Sequence, residues 1–287
     1  MTPTLFIIGS DRKEEEDMLL AEADLAGIPV QFLDAAHLTL ILETKEADVW
    51  YNGKSIREAL RSGRIIFRRT RGQRETVIAL ALLAKHWNIP ATDTPLSIIS
   101  NYHKMLSMPA TTLKNISNIE TVFLSAGATF DPQAFGLRLP LLSKPVEGRH
   151  GEGVTIMTTQ KELESFVAGN TDDVLVQPLL PIDEEFRVFV IGTRSLGVVL
   201  KTPAEGSQIA NYAAGARFSA SKLPARIEQE AIALCAQQGI SIGGVDIARV
   251  GDAFYLLEIN RCPEFKAFTK ATGVNVAREI VEYVETW

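Results

Sequence analysis

Three oxygen-bearing side chains late in the sequence, Asp246, Glu258 and Asn260, have the types and spacing of a metal site. Two runs of alternating apolar residues, 245–250 and 253–259, flank a Gly-Asp dipeptide of the kind that closes a tight hairpin. On such a hairpin Asp246 lies opposite Glu258 or Asn260, and the latter two leave the same face of one strand. Carboxylate and amide oxygens suit Mg²⁺. Acidic residues are also common on strand faces, so a solvated hairpin face is an equal alternative at this point.

A second candidate site is a glycine-rich loop that follows a predicted strand. The sequence KPVEGRHGEGV starts at Lys144 and contains Gly148, Gly151 and Gly153. Glycine lets a backbone approach an anion closely and adopt positive φ, while the lysine and the backbone N–H groups supply positive potential. The loop is therefore suited to cover phosphates, although it matches neither a P-loop nor a dinucleotide fingerprint. An isolated glycine loop is more often a plain turn.

Residues between these two stretches could hold the rest of a nucleotide. The apolar run 174–178 ends in a proline-containing segment whose backbone could meet an adenine ring, and Glu185 follows as an acceptor for ribose hydroxyls. The alternative is an ordinary ion pair between Glu185 and Arg187, two apart on one strand. Lys201 ends the next strand, and Asn211 comes after it. In this order the residues predict one site for ATP and Mg²⁺.

The composition restricts the class of protein. The chain has 287 residues, of which 46% are hydrophobic and 22% are charged, as in ordinary globular proteins. A net charge of −6 argues against general nucleic-acid binding. The two cysteines, Cys235 and Cys262, form neither a disulfide framework nor a metal-site pattern, which favours a reducing, cytoplasmic setting. The first apolar run, 5–8, is too short for a signal peptide, and no run is long enough to span a membrane, so we expect no membrane association.

Alternating strand and helix patterns must position these residues. A helix at 161–167 has Thr159 as its expected N-cap, and Glu162 completes a capping box. The Asn52-Gly53 pair predicts a second tight hairpin. A helix is predicted from the cap signal at Ser10-Asp11 to Ala26. The other predicted elements are strands at 4–9, 30–33, 38–42, 65–69, 139–146, 154–157, 185–191 and 196–200, and helices at 73–87, 96–106, 224–238 and 275–284. This pattern predicts a mixed α/β protein.

Several blocks of sequence, taken together and in order, resemble one family. They are IIFRRTRGQRETVIALALLAKHWNIPATDTPLSI, KPVEGRHGEGV, EFRVFVIG, GGVDI, EINRCPEFK and TKATGVNVAREIVEYV. Over about residues 4–283 the chain resembles the ATP-grasp superfamily, in particular the RimK-like carboxylate–amine ligases and, among these, the LysX-type amino-acid ligases of lysine and arginine biosynthesis. The resemblance implies an ATP-grasp fold with an N-terminal pre-ATP-grasp α/β domain at 1–93, a central subdomain at 94–176 and a C-terminal subdomain at 177–287.

The resemblance also implies a reaction in two steps. A carboxylate attacks the γ-phosphate of ATP to give an acylphosphate, and an amine then displaces phosphate to form an amide or peptide bond. Phosphoryl transfer needs positioning and charge neutralisation more than a protein nucleophile, in agreement with the residue types found. The implied ATP contacts are Lys144, Gly148, Gly151, Gly153, Gln177, Glu185, Lys201 and Asn211. The implied catalytic residues are Lys201, Arg187 and Arg261, and the implied ligands of two Mg²⁺ ions, with Mn²⁺ as an alternative metal, are Asp246, Glu258 and Asn260.

The sequence departs from the family pattern at a few positions. Gln177 stands where a glutamate is usual and Glu185 where an aspartate is usual, and both changes preserve hydrogen-bonding capacity. Ala214 replaces an arginine that would help to hold phosphate, so another arginine would have to reach the same place. The role of Lys104, which lies in a segment shorter than its family counterpart, is left open.

The expected activity is that of a carbon–nitrogen ligase that joins a glutamate-like carboxylate of an amino acid, peptide or carrier protein to an amino-acid amine. Arg261 and Glu264 would flank the two reacting groups, since arginine can hold a carboxylate with two parallel hydrogen bonds. Surface exposure at a strand end is the alternative for both residues. The alternatives are an ATP-binding scaffold or regulatory subunit that has lost turnover, and an ATP-grasp kinase for small molecules. We also expect a homo-oligomer.

Seven arginines crowd a short stretch of sequence in which Glu58 is the single acidic residue. They are Arg57, Arg61, Arg64, Arg68, Arg69, Arg71 and Arg74. Such a cluster could dock an acidic carrier protein or peptide, although charge runs are more often solvated faces.

Overall fold

The structure is a computed structural model that describes residues 2–42, 46–70, 72–102, 113–146, 153–203 and 216–287. In chain order its first part forms β1 (Leu5–Gly9), α1 (Glu14–Leu25), β2 (Val30–Asp34), a 3-10 helix (Ala35–His37), β3 (Leu38–Ile41), β4 (Asp48–Tyr51), β5 (Lys54–Ser55), α2 (Arg57–Arg61), β6 (Arg64–Phe67), α3 (Arg74–His86) and α4 (Pro95–Tyr102).

Two small sheets organise this first part. One is parallel, with β1 between β2 and β6, and β1 is buried along its whole length, as expected for a continuous apolar run in a parallel sheet. The other is antiparallel, with the order β3-β4-β5. Asn52 and Gly53 join β4 to β5 with φ angles of 49° and 76°, so the predicted tight hairpin is confirmed.

The middle of the chain forms an antiparallel sheet of its own. Its elements are β7 (Ile116–Asn118), β8 (Val122–Leu124), a 3-10 helix (Pro132–Phe135), β9 (Leu141–Pro145), β10 (Thr155–Met157), α5 (Gln160–Gly169) and β11 (Val174–Pro178). Four of the strands pair in the order β10-β9-β11-β8. Their apolar side chains pack with α5 in a separate core that includes Leu124, Leu141, Leu163 and Val176. The predicted capping box of Thr159 and Glu162 is present at the start of α5.

The last part of the chain carries the largest sheet. Its elements are β12 (Glu184–Ile191), β13 (Arg194–Thr202), β14 (Arg217–Ser221), α6 (Ala225–Gln237), β15 (Ile242–Val250), β16 (Ala253–Asn260), α7 (Lys266–Thr272) and α8 (Val276–Glu285). With β7 they give the strand order β14-β13-β12-β15-β16-β7, in which only the β16–β7 pair is parallel. Helix α6 covers one face, where Ile227 and Leu234 pack against Val188 and Val245.

The opposite face of this sheet shares a hydrophobic core with the N-terminal part of the chain. Leu5 and Leu19 belong to the same buried cluster as Phe189, Phe265 and Phe268. The rings of Phe189 and Phe268 lie 5.1 Å apart, in a tilted arrangement. Burial of apolar surface therefore joins residues from the two ends of the sequence.

The predicted mixed α/β architecture is confirmed, and the differences lie in short elements. Strands β7, β8 and β14 and helices α2 and α7 were not predicted. The expected boundary between residues 176 and 177 falls inside β11, while β7, from the expected central subdomain, pairs with β16. The division into three domains stays a prediction. No helix formed by the described residues is long and apolar enough to cross a membrane.

Candidate active site

The candidate site is built around a buried carboxylate, that of Asp246, on β15. Arg187 lies opposite it on the antiparallel strand β12. Its guanidinium donates from Nε to Oδ1 of Asp246 at 2.6 Å and from Nη2 to Oδ2 at 2.7 Å. A bidentate pair of this kind fixes the direction of the carboxylate as well as its charge.

A lysine on the next strand joins this pair. Lys201 of β13 donates from Nζ to Oδ2 of Asp246 at 3.0 Å, and it also donates to Glu185, which faces it on β12. Two acids and two bases from three neighbouring strands thus form one cluster. Arg187 and Glu185, which could have paired with each other, take their main partners from neighbouring strands.

The charges in this cluster shift the pKa values of the two acids in opposite directions. Burial alone would raise the pKa of the Asp246 carboxyl, but the charges and hydrogen bonds of Arg187 and Lys201 outweigh burial and hold the pKa well below its usual range. Burial, reinforced by the neighbouring charge of Asp246, raises the pKa of Glu185. Asp246 therefore stays ionised, which is the form that binds a metal.

The other two predicted metal ligands lie beside this cluster on β16. Glu258 is opposite Asp246, next to an irregularity in the pairing between Asp246 and Ile247, and Asn260 donates from Nδ2 to Oε1 of Glu258 at 2.8 Å. The tight turn at Gly251 is as predicted, and of the two positions predicted opposite Asp246 the hairpin places Glu258 there. Glu258 is exposed and Asn260 half-buried.

A hard divalent cation suits this donor set. Among the described residues, no group of three or more His, Cys, Asp or Glu side chains could hold a metal ion. A metal on this hairpin therefore needs an amide oxygen beside the two carboxylates, and Asn260 places its amide next to Glu258. Carboxylate and amide oxygens together are typical of Mg²⁺ sites.

The glycine-rich loop is described at its two ends. Lys144 lies on β9, opposite Leu175 of β11. Gly153 has φ of 72°, and a Cβ atom at this position would lie 2.6 Å from Cγ of Pro145, so both the conformation and the close approach require glycine. Gly148 and Gly151 lie outside the described residues, as do Asn211, Ala214 and Lys104.

Gln177, the predicted adenine contact, already has an internal partner. It is buried on β11 and donates from Nε2 to Oγ1 of Thr121 at 2.6 Å. Thr121 was not singled out from the sequence, since no motif links it to Gln177 over 56 positions. The role of Gln177 at a nucleotide stays a prediction.

Arg261 faces the N-terminal part of the chain. Its guanidinium is buried and donates to the Asp93 carboxylate at 3.3 Å and to the backbone oxygens of Phe67 and Arg68 at 3.3 and 3.4 Å. Asp93 was not identified from the sequence either. Its one local peculiarity, a positive φ of 65°, is visible only in the structure. These contacts differ from the substrate-facing position expected for Arg261, whose catalytic role stays a prediction.

Five arginines of the predicted cluster contact internal partners. Arg57 and Arg61 pair with Glu46 and Glu58, Arg64 donates to the carbonyl groups of Glu285 and Trp287, Arg68 pairs with Glu15 and Glu16, and Arg69 pairs with Glu15 and Glu264. Arg71 lies outside the described residues. Five of the seven arginines therefore have partners within the chain, and the docking of an acidic partner at this stretch stays a prediction.

Known proteins resemble the chain over most of its length. The model of the RimK-like ATP-grasp domain family matches residues 79–284. A probable alpha-L-glutamate ligase of Aliivibrio salmonicida (strain LFI1238) is 26% identical over 278 residues, which cover 93% of this chain and 90% of the relative. Probable alpha-L-glutamate ligase 2 of Shewanella amazonensis (strain ATCC BAA-1098 / SB2B) is 30% identical over 151 residues, and that match spans 51% of this chain and half the length of the relative.

The fold is also shared with solved structures. The ATP-grasp ligase PsnB, in complex with a minimal precursor, Mg and ADP, superposes with a TM-score of 0.72 at 16% identity, and the match covers 98% of this chain and 96% of PsnB. At this level of identity the likeness concerns the fold alone.

Proposed function

Because this chain belongs to the RimK-like ATP-grasp family, we propose that it is an ATP-dependent ligase that joins a carboxylate to an amine. The RimK-like ATP-grasp family and the fold inferred from the blocks of sequence are confirmed, and the narrower likeness to LysX-type ligases stays a prediction. Two relatives, one matched over 90% of its length and one over half of its length, are named as probable alpha-L-glutamate ligases. Glutamate ligases belong to the proposed class of activity.

One observation carries the proposal: a buried cluster of two cations and two acids lies beside the Glu258–Asn260 pair. Arg187 and Lys201 both reach Asp246, and Glu258 lies opposite the same residue. A site that transfers a phosphoryl group needs fixed positive charge and hard oxygen ligands within one small volume. This cluster supplies both without a nucleophilic side chain.

Each residue of the cluster then has a distinct task. Asp246, Glu258 and Asn260 would hold two Mg²⁺ ions, and Mn²⁺ could replace Mg²⁺. The bound metal would neutralise phosphate charge and align the phosphates. Lys201 is held by Asp246 and Glu185, so its ammonium is placed in advance for a phosphate oxygen. Arg187 keeps Asp246 oriented and adds a second cation.

The nucleotide would extend from this cluster towards the antiparallel sheet of β8 to β11. Lys144 and Gly153 would lie over the phosphates, Gln177 would meet the adenine, and Glu185 would accept the ribose hydroxyls. Gly153, the described end of this glycine-rich stretch, approaches Pro145 on the strand that carries Lys144, which supports a place for both near one nucleotide.

The proposed substrates are a glutamate-like carboxylate, free or in a peptide, and an amino-acid amine. The names of the glutamate-ligase relatives support the first, and the precursor bound by PsnB supports peptides as a further class. An acidic carrier protein is a further proposed partner, and it would compete with the internal acidic partners of Arg57, Arg61, Arg68 and Arg69.

Phosphate release tests the proposal. The purified chain is incubated with ATP, Mg²⁺, glutamate or glutamate-containing peptides and a panel of amino acids, and phosphate and product masses are measured. We expect phosphate release that requires both substrates and a product with the mass of their sum less one water. Phosphorylated product that accumulates without an amine would identify a kinase instead. ATP binding without phosphate release from any pair would refute ligase activity.

A further inference from the structure

A buried carboxylate from the start of the chain holds the segment that follows Asn260. Glu15, on α1, accepts at Oε1 from the backbone N–H groups of Phe265 at 2.5 Å and Lys266 at 3.0 Å. Its other oxygen, Oε2, accepts from Nη2 of Arg68 at 2.8 Å and Nη2 of Arg69 at 3.4 Å. Both oxygens of Glu15 are thus occupied by groups of the protein itself.

This contact is built as a buried ion network. Glu15 and Arg68 are 9% and 3% exposed, and Arg68 also donates from Nε to Glu16 at 2.8 Å. The guanidinium of Arg68 lies 5.3 Å from the centre of the Phe265 ring. Buried charges are costly unless they are paired and hydrogen-bonded, so this network persists only with its full set of partners.

Arg261 anchors the same segment from its other end. It follows Asn260 directly and donates to the Asp93 carboxylate and to the backbone oxygens of Phe67 and Arg68. Strand β16 ends at Asn260, and α7 begins at Lys266. The irregular stretch between them is therefore fixed to the N-terminal part of the chain, through Arg261 at one end and through Glu15 of α1 at the other.

We infer that Glu15 and Arg261 are positioning residues, through which the N-terminal part of the chain sets the direction of Asn260 and Glu258. The inference rests on the proposed function, in which these two residues hold the metal. Groups that orient metal ligands through hydrogen bonds change the metal affinity although they do not contact the ion themselves. Asn260 shares its strand end with the anchored segment, and its amide bonds Glu258, so movement of this end displaces both ligands together.

Two neighbouring glutamates allow a matched test. Glu15 and Glu16 are both buried, and both accept from Arg68. Glu16 otherwise accepts from the backbone N–H of Lys13 at the start of α1, whereas Glu15 alone reaches Phe265 and Lys266. Glu15→Gln and Glu16→Gln therefore make the same chemical change in one network. Only Glu15→Gln weakens the hydrogen bonds to the segment that follows Asn260.

The readout is Mn²⁺ binding in the presence of ADP, followed by electron paramagnetic resonance, together with the melting temperature. We expect Glu15→Gln to weaken Mn²⁺ binding by about tenfold or more, as for other residues that orient metal ligands. Glu16→Gln should keep the wild-type affinity while it lowers the melting temperature to a similar extent. Equal Mn²⁺ affinities in the two variants would overturn the inference and leave a network that serves stability alone.

Arg261→Lys provides a second variant if Glu15→Gln does not fold. Lysine retains a positive charge for Asp93 but cannot donate to both backbone oxygens as the guanidinium does. It should also weaken Mn²⁺ binding, and wild-type affinity in a folded Arg261→Lys protein would count against the inference. Wild-type protein that binds no Mn²⁺ would refute the proposed function as well. A third outcome separates the two proposals. If the wild type binds Mn²⁺, Glu258→Gln does not bind it and Glu15→Gln binds it with wild-type affinity, the proposed metal site stands and only the positioning role of Glu15 is refuted.

Discussion

Arg187 and Asp246 face each other across two adjacent strands of the large sheet, and the guanidinium donates to both carboxylate oxygens. Three positions along the same two strands, Arg249 and Glu184 form a second pair with the residue types exchanged. The side chains of the first pair are 11% and 2% exposed, and those of the second are both 37% exposed. The same chemistry therefore occurs once inside the candidate site and once near the surface.

This contrast in burial predicts that removal of Arg187 lowers the free energy of unfolding more than removal of Arg249. Arg187→Ala leaves Asp246 buried with Lys201 as its remaining cation and should lower the free energy of unfolding by roughly 3 kcal/mol. Arg249→Ala removes a largely solvated pair and should cost less than about 1 kcal/mol. Urea unfolding followed by circular dichroism measures both. Similar losses in the two variants would mean that burial does not set the strength of the Arg187 pair.

Glu258→Gln should abolish phosphate release with little change in stability. Glu258 is exposed, so its replacement disturbs no packing, and the free energy of unfolding should stay within about 0.5 kcal/mol of the wild type. Asp252→Asn, which changes an exposed acid at the turn of the same hairpin, should leave both turnover and stability unchanged. A marked fall in the stability of Glu258→Gln would indicate a structural role instead.

Lys144→Ala should weaken the binding of a non-hydrolysable ATP analogue by about tenfold, the loss expected for one charge-assisted hydrogen bond. Isothermal titration calorimetry gives the dissociation constant. Lys161→Ala is the control, because Lys161 is an exposed lysine on α5 of the same part of the chain. Equal affinities for the analogue in the two variants would remove Lys144 from the proposed nucleotide site.

The capping box of α5 predicts a defined pH dependence. The backbone N–H of Thr158, its hydroxyl and the backbone N–H of Thr159 donate to the Glu162 carboxylate and lower its pKa from 4.5 to about 2. Because the folded state favours the ionised form, the contribution of Glu162 to stability is complete above its unfolded pKa and is lost as the pH falls towards about 2.

The titration of the Glu162 carboxyl carbon, followed by nuclear magnetic resonance, measures this pKa directly. The stability difference between wild type and Glu162→Gln should also shrink as the pH falls. Glu164→Gln, on the same helix, is the control for general effects of removing a surface charge. A midpoint for Glu162 near 4.5 would contradict the assigned hydrogen bonds.

Features fixed by neighbouring residues could be predicted from the sequence. The turns at Asn52-Gly53 and Gly251 and the capping box of Thr159 and Glu162 each depend on a few consecutive residues with particular backbone preferences. The sequence placed either Glu258 or Asn260 opposite Asp246, and the register of the folded hairpin selects Glu258.

Features that depend on strand register or on distant packing could not be predicted. Arg187 has Glu185 two positions away, yet it pairs with Asp246, 59 positions later, because β12 and β15 align them. The contact between Glu15 and Phe265 spans 250 positions and depends on how the N-terminal sheet packs against the large one. No periodicity or local motif carries that information.

The hydrophobic core shared by the two ends of the chain has a consequence for cooperativity. Leu5 and Leu19 lose their packing if Phe189 and Phe268 lose theirs, whereas the sheet of β8 to β11 has its own core. Amide protons in β1 and β12 should therefore exchange with solvent at one common opening free energy, and those in β9 and β11 at another. The sheet that carries the glycine loop can open locally while both ends of the chain stay folded around the metal-site hairpin.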